Sequence, residues 1–156
     1  MRIGHGYDAH RFREGDGLAL GGVRVPFDKA FLAHSDGDVL IHALIDALFG
    51  AAGQPDIGAH FPPSDDRYRD IDSTLLLAET RDIIAGLGFR IEYADMTVVA
   101  QRPKLAEYLP AMREKIASVL EIPADRVNVK ATTEEKMGFT GRGEGIAAHA
   151  VCLLGE

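Results

Sequence analysis

The stretch from Arg90 to Thr132 constrains the fold more than any other part of the chain. Arg90–Ala100 (RIEYADMTVVA) is rich in Ile, Tyr, Thr and Val, residues that suit a pleated strand. Pro103 is fit for a helix first position, and the helix is expected to run from Lys104 to about Leu120, where Ile122-Pro123 stops it. Val127–Thr132 then alternates as a second strand. Strand, helix, strand at these lengths is a crossover unit, so the two strands are expected to lie parallel with a right-handed connection.

The rest of the chain supplies material for the same sheet. Arg2 to His10 reads as a strand, and Leu18-Ala19-Leu20 and Val23-Arg24-Val25 flank Gly21-Gly22 as a hairpin closed by Pro26. Phe27–Leu32 is expected to be a connecting loop. Ile41, Leu44, Ile45 and Leu48 follow helical spacing, with Ser35 as N-cap and Asp38 three residues on. Gly53–Asp70 is polar, Pro-rich and long for a routine connection, which favours a functional loop. A second helix is expected from Asp72 or Ser73 to Leu87, with Leu75, Leu76, Ile83, Ile84 and Leu87 inward and Gly88 just past its end. The Gly-rich link Gly138–Gly145 leads into a last strand, Ile146–Leu154. The expectation is one α+β domain over residues 1–156: a single mixed β-sheet with helices packed on one face.

Charge and cysteine content narrow the function. A net charge of −7 argues against nucleic acid as a partner, since affinity for it comes mainly from Lys and Arg on phosphates. A small anionic ligand then needs local help from metal ions, backbone amides or placed cations. The one cysteine, Cys152, excludes an internal disulfide and Cys-rich zinc frameworks, and reads as a buried strand residue. There is no signal-like start and no run of about 18 apolar residues, so the chain is expected to be cytoplasmic and to have no membrane partner.

The chemistry-bearing residues fall into two groups. On a strand, Asp8 and His10 project from one face, and Gly4 and Gly6 on that face leave space beside them. His42, at the border of the first helix's apolar face, can join them as a three-ligand set of N and O donors. Three protein ligands with an open fourth position is the pattern of a catalytic zinc. His34, Asp38, Asp56 and His60 lie near in sequence, and Asp46, one turn after His42, is a candidate to orient its ring. The second group is Lys130–Lys136 at a strand end, where hydroxyls suit phosphate oxygens and Glu135 suits Mg²⁺ held jointly with them. Lys104, expected at a helix start where cations are disfavoured, suggests a local anion. The Gly141-Arg142-Gly143 stretch precedes a strand and is no dinucleotide fingerprint.

Several long motifs in order resemble the 2-C-methyl-D-erythritol 2,4-cyclodiphosphate synthase family. They are Gly4–His10 (GHGYDAH), His34–Asp38 (HSDGD), His42-Ala43, Asp56-Ile57-Gly58, Phe61-Pro62, Ala100–Lys104 (AQRPK), Thr132–Lys136 (TTEEK) and Gly138–Gly145 (GFTGRGEG). The resemblance covers essentially the whole chain with no departure at a motif position. It implies a ferredoxin-like or chorismate-mutase-like sandwich that assembles as a homotrimer with active sites between subunits. It implies zinc, one per subunit, on Asp8, His10 and His42, and Mg²⁺ or Mn²⁺ with the substrate diphosphate at Glu135. His34 and Thr133 would be catalytic, steadying the pentavalent phosphorus. Ser35 would contact the substrate, while Asp56, Ile57, Gly58, Phe61, Pro62, Pro63, Ser64 and Asp65 would hold its methylerythritol part. Ala100, Gln101, Arg102, Pro103, Lys104, Leu105 and Ala106 would form a cytidine pocket, with Thr132, Glu134 and Glu135 by the diphosphate. Phe139 and Arg142 would line a cavity on the trimer axis that takes an isoprenoid diphosphate.

The reaction implied is intramolecular. The 2-phosphate of 4-diphosphocytidyl-2-C-methyl-D-erythritol 2-phosphate attacks the β-phosphorus and expels CMP, in non-mevalonate (MEP) isoprenoid biosynthesis. The nucleophile is already an anion, so no general base is required. Two other readings compete: a zinc-dependent phosphoester hydrolase using metal-bound hydroxide, and a non-catalytic trimer that binds metal or an isoprenoid.

Overall fold

The computed structural model describes Met1–Glu156. In chain order it contains β1 (Arg2–Glu14), β2 (Gly17–Leu20), β3 (Val23–Pro26), β4 (Lys29–Phe31), α1 (Val39–Ala51) and α2 (Ile57–His60). Then follow α3 (Ser73–Gly86), β5 (Arg90–Val99), α4 (Leu109–Leu120), β6 (Val127–Thr132), α5 (Gly138–Gly141) and β7 (Gly145–Gly155). The main sheet has the strand order β4-β1-β7-β5-β6. Its β5–β6 pair is parallel and the other pairs antiparallel, so the sheet is mixed and the crossover joins parallel neighbours as expected. The hairpin β2–β3 stands apart as a two-stranded sheet, with Gly21 and Gly22 at φ of 62° and 75° in its turn.

One close approach fixes where the first helix lies. Side chains on alternate β1 residues face α1, and the two nearest it are Gly4 and Gly6. A Cβ on Gly4 would stand 1.9 Å from the Ala47 carbonyl oxygen, and one on Gly6 would stand 1.8 Å from that of Ala43. Only glycine allows the backbones so close. Two residues of strand advance about 6.8 Å and four residues of helix about 6 Å, so the register continues without slipping. Extending it past Gly6 brings Asp8 and His10 to the N-terminal turn of α1, where His42 is. The glycines therefore do more than leave room beside Asp8 and His10: they seat the helix that carries the third residue of the set.

α1 packs on β1 and β7 and is covered by α3. Enclosed in this way, it buries nearly its whole circumference, including Leu40, Ile41, Leu44, Ile45, Leu48 and Phe49. The opposite face of the sheet presents Ile3, Tyr7 and Val151 exposed, so the helices do lie on one face. Cys152 is buried in β7, and burial pushes its thiol up to about 12.

Four local expectations are corrected. The stretch Phe27–Leu32 is not all loop, because β1 continues to Glu14 and offers Lys29–Phe31 an edge to pair with, Phe12 opposite Phe31. The cap of α1 is Asp38 rather than Ser35, since its carboxylate accepts the Ile41 N–H at 3.1 Å. In α3 the inward stripe is Ser73, Leu76, Leu77, Thr80 and Ile84, while Leu75 and Leu87 are exposed. α4 begins at Leu109 with Pro110 in its first turn, so Pro103 and Lys104 lie in irregular chain ahead of it. Lys104 therefore does not stand at a helix N-terminus, and its charge calls for no anion there.

Candidate active site

Three donor atoms converge where β1 meets the start of α1. Asp8 Oδ2 is 3.1 Å from His10 Nε2 and 3.2 Å from His42 Nδ1, and the two ring nitrogens are 3.1 Å apart. Ligands on one tetrahedral zinc at about 2.0–2.1 Å stand roughly 3.3–3.4 Å from each other, so this near-equilateral triangle fits a shared cation. No other cluster of three or more His, Cys, Asp or Glu donors in the chain is so arranged. The other Asp8 oxygen accepts the Ala9 N–H at 2.9 Å, which turns Oδ2 toward the histidines. Burial works against the Asp8 charge, but the two imidazoles outweigh it and hold the carboxyl well below its usual range. Burial likewise works against a charged His42, yet Asp8 raises its pKa overall. A cation bound here would take the place of protons on the two imidazoles.

The ring of His42 is oriented from α3 and not from its own helix. Its Nε2 lies 2.8 Å from Ser73 Oγ and 3.2 Å from Ser35 Oγ. Asp46, a candidate to orient it, instead accepts the Ile57 N–H at 2.8 Å and ties α2 to α1. Asp38 is also spent structurally: Gly21, Gly22 and Ile41 all donate backbone N–H groups to its buried carboxylate. His60 packs against Phe49, its ring centroid 3.9 Å away and nearly parallel, outside the cavity wall.

The triad opens into a cavity of about 380 Å³, a volume suited to a small organic ligand. His34, Ser35, Ile57, Gly58, Phe61 and Pro63 line it together with Asp8, His10 and His42. His34 is steadied at the wall by a 3.3 Å contact between its Nε2 and the Asp65 carbonyl oxygen. Leu32, Ala33, Tyr68 and Leu76 complete the lining; none is among the expected site residues, though Tyr68 lies in the Gly53–Asp70 loop and Leu76 on the inward face of its helix. Asp56, Pro62, Ser64 and Asp65 do not face it; Asp56 caps α2, and Asp65 caps the turn at Asp66–Tyr68 and pairs with Arg67 at 2.7 Å.

The remaining expected residues gather elsewhere. Ala100 donates its N–H to the Thr132 carbonyl at 3.0 Å, and Lys136 donates its N–H to Gln101 Oε1 at 3.1 Å, joining the two segments after β5 and β6. Thr132, Thr133, Glu134 and Glu135 are exposed there, as are Arg102, Lys104 and Ala106, whereas Leu105 is buried. Thr140 donates its hydroxyl to Glu134 at 3.0 Å, and Gln101, Arg102 and Arg142 line a separate groove. Phe139 is partly exposed beside them on α5. Along one row of the sheet Asp8 faces Ala148, Ala148 faces Val98 and Val98 faces Ala131. Three strand spacings separate the ends of that row, about 14 Å. Within one chain the expected residues thus form two clusters and not one site.

Known proteins are similar over the same length. Residues 1–155 match the YgbB family. A protein of Methylococcus capsulatus named 2-C-methyl-D-erythritol 2,4-cyclodiphosphate synthase is 63% identical over 154 residues, covering 99% of this chain and 98% of that one. The structure of IspF of Plasmodium falciparum in complex with CDP superposes with a TM-score of 0.85 at 35% identity, covering 98% of this chain and 94% of that one. The bifunctional IspDF of Campylobacter jejuni gives a TM-score of 0.94 at 43% identity and covers 98% of this chain, which spans only 42% of that longer protein.

Proposed function

The chain belongs to the YgbB family, and from that premise we propose that it is a cyclodiphosphate-forming enzyme of the MEP route. It converts 4-diphosphocytidyl-2-C-methyl-D-erythritol 2-phosphate to 2-C-methyl-D-erythritol 2,4-cyclodiphosphate and CMP, as a phosphorus–oxygen lyase. One observation carries the reading: the donor atoms of Asp8, His10 and His42 meet at one end of a cavity walled by His34, Ser35 and Gly58. That arrangement stands in a chain 63% identical to a synthase of that name.

The chemistry asks for positioning more than for proton transfer. An oxygen of the 2-phosphate bonds to the β-phosphorus, the bond from that phosphorus to the CMP oxygen breaks, and CMP leaves with the electron pair. Holding the flexible substrate in an in-line pose can supply about 7–11 kcal/mol of barrier reduction. In this reading Gly58, Ile57, Phe61 and Pro63 receive the methylerythritol carbons, and Ser35 and His34 face the phosphates. Ala100–Ala106 receive the cytidine, and Thr132, Thr133 and Glu135 the diphosphate. When bound, zinc on Asp8, His10 and His42 and Mg²⁺ at Glu135 supply positive charge that offsets repulsion between the reacting phosphates. The two clusters about 14 Å apart support sites completed by two copies of the chain, in a homotrimer. Arg142 and Phe139 then lie where an isoprenoid diphosphate is taken up. No helix is long and apolar enough to cross a membrane, and we place the enzyme in the cytoplasm.

The test is ³¹P NMR of the product formed in ¹⁸O-labelled water, with zinc analysis of the same sample. A cyclic diphosphate free of label, released with CMP from zinc-containing protein, is expected. Label in the product phosphate would establish the zinc-dependent phosphoester hydrolase instead.

A further inference from the structure

Ser73 closes the side of the donor triad away from the cavity. It is the first residue of α3 and fully buried, and its hydroxyl oxygen lies 2.8 Å from Nε2 of His42. The same oxygen lies 2.5 Å from Asp36 Oδ1, and the Ser73 N–H donates to Asp36 Oδ2 at 2.9 Å. A hydroxyl has one proton and a carboxylate has none, so the Ser73 O–H donates to Asp36. What Ser73 turns toward His42 is therefore a lone pair, which only an N–H can meet. His42 thus carries its proton on Nε2. Its Nδ1, the nitrogen facing Asp8 and His10, is then the one that offers a lone pair to a cation. Ser35 Oγ, 3.2 Å from Nε2, is a longer second acceptor and is itself engaged by the Gly37 N–H.

We infer that Ser73, held by Asp36, is a positioning residue that fixes the tautomer and ring angle of His42 and thereby sets the metal affinity of the centre. The inference rests on the reading of Asp8, His10 and His42 as a metal site. The role for which Asp46 was a candidate belongs to a hydroxyl brought in from another helix. Asp36 is well placed to hold it: its Oδ1 also accepts the Asp38 N–H at 2.9 Å, and its own N–H is anchored to the Ile71 carbonyl at 3.1 Å. Groups behind a metal-binding histidine select which nitrogen is free, and removing them weakens binding about 10–100-fold.

Zinc titration of metal-free protein against a chromophoric chelator tests this, together with the ring ¹⁵N shifts of His42 before zinc is added. Ser73→Ala is expected to bind zinc about 10–100-fold more weakly and to show the His42 proton moved toward Nδ1, where Asp8 accepts it. Ser73→Thr keeps the hydroxyl and is expected to restore both properties. Full zinc affinity in Ser73→Ala, or a Ser73→Thr variant as weak as Ser73→Ala, would overturn the assignment. Should Ser73→Ala fail to fold, the near-isosteric pair Ser73→Thr and Ser73→Val makes the same comparison. Unaltered protein that takes up no zinc would refute the metal reading instead, and the ¹⁵N shifts of the metal-free protein would still decide what Ser73 does.

Discussion

The two clusters of candidate residues are built in opposite ways. At the β1 end, Asp8, His10 and His42 are mostly shielded from solvent, and their relative positions follow from packing: glycines seat α1 on β1, and Ser73 orients the His42 ring. At the β6 end every residue from Ala131 to Phe139 is exposed, and the order is in the backbone. Glu135 and Lys136 hold φ of 54° and 67°, a left-handed conformation that costs of order 1–3 kcal/mol in each such residue. It is retained because the Thr133 hydroxyl accepts the Glu135 N–H at 3.2 Å and Gln101 accepts the Lys136 N–H. Gly141 packs so closely that a Cβ there would sit 2.3 Å from the Lys136 carbonyl carbon. One cluster is enclosed by packing within the chain; the other is a shaped, exposed surface.

The largest effects should come from breaking each cluster separately. His42→Ala should lose zinc and lower activity by at least about 10³-fold while the fold persists. Thr133→Ala should keep zinc and lose about 10²–10³-fold. Neither result alone shows that the clusters serve one site. Co-refolding the two variants does: in a ring with sites at each junction, about one junction in four pairs an intact triad with an intact Thr133. Mixed protein should recover about a quarter of the unaltered activity. No recovery would mean that both clusters act within a single copy.

The contrast also explains what could be read from residues alone. The D-x-H pair on a strand, the helix carrying His42 and the β5–α4–β6 crossover were legible because each rests on a local period. Where the register of β1 against α1 comes from was not, since GHG reads equally as open space and as a helix seat. The partner of the His42 ring is hidden from the sequence for a related reason. Helical spacing suggests Asp46, whereas Ser73 reaches the ring only because α3 packs on α1, an event 31 residues away in sequence. Helical spacing alone puts Leu75 in the core for want of the same information, and Phe27–Leu32 reads as loop because a three-residue edge strand has no period to show. The separation of the clusters depends on strand order, which no residue pattern fixes.

The packed cluster should be sensitive to a single methyl group. In Gly6→Ala the new carbon meets the Ala43 carbonyl oxygen and, at 2.8 Å, the Ala47 nitrogen, both backbone atoms that cannot turn aside. α1 has to move outward. A loss of about 3 kcal/mol in urea unfolding is expected, with weaker zinc binding as His42 is drawn from Asp8. Stability close to that of unaltered protein would mean that α1 is not seated by the glycine contacts.

The exposed cluster should respond in charge and not in stability. Glu135→Gln keeps the side chain's length and one acceptor oxygen, and leaves the Thr133 contact to the Glu135 N–H unaltered. It removes the negative charge that would hold Mg²⁺ beside a diphosphate. About tenfold more Mg²⁺ should then be needed for half-maximal rate, a difference of about 1.4 kcal/mol. Zinc content and urea midpoint should stay where they are, because the residue touches neither the triad nor the core. An unchanged Mg²⁺ requirement would take Glu135 out of the metal's surroundings. A lowered midpoint would mean that its carboxylate helps to hold the left-handed turn, and the division between a packed half and a surface half would have to be redrawn at that residue.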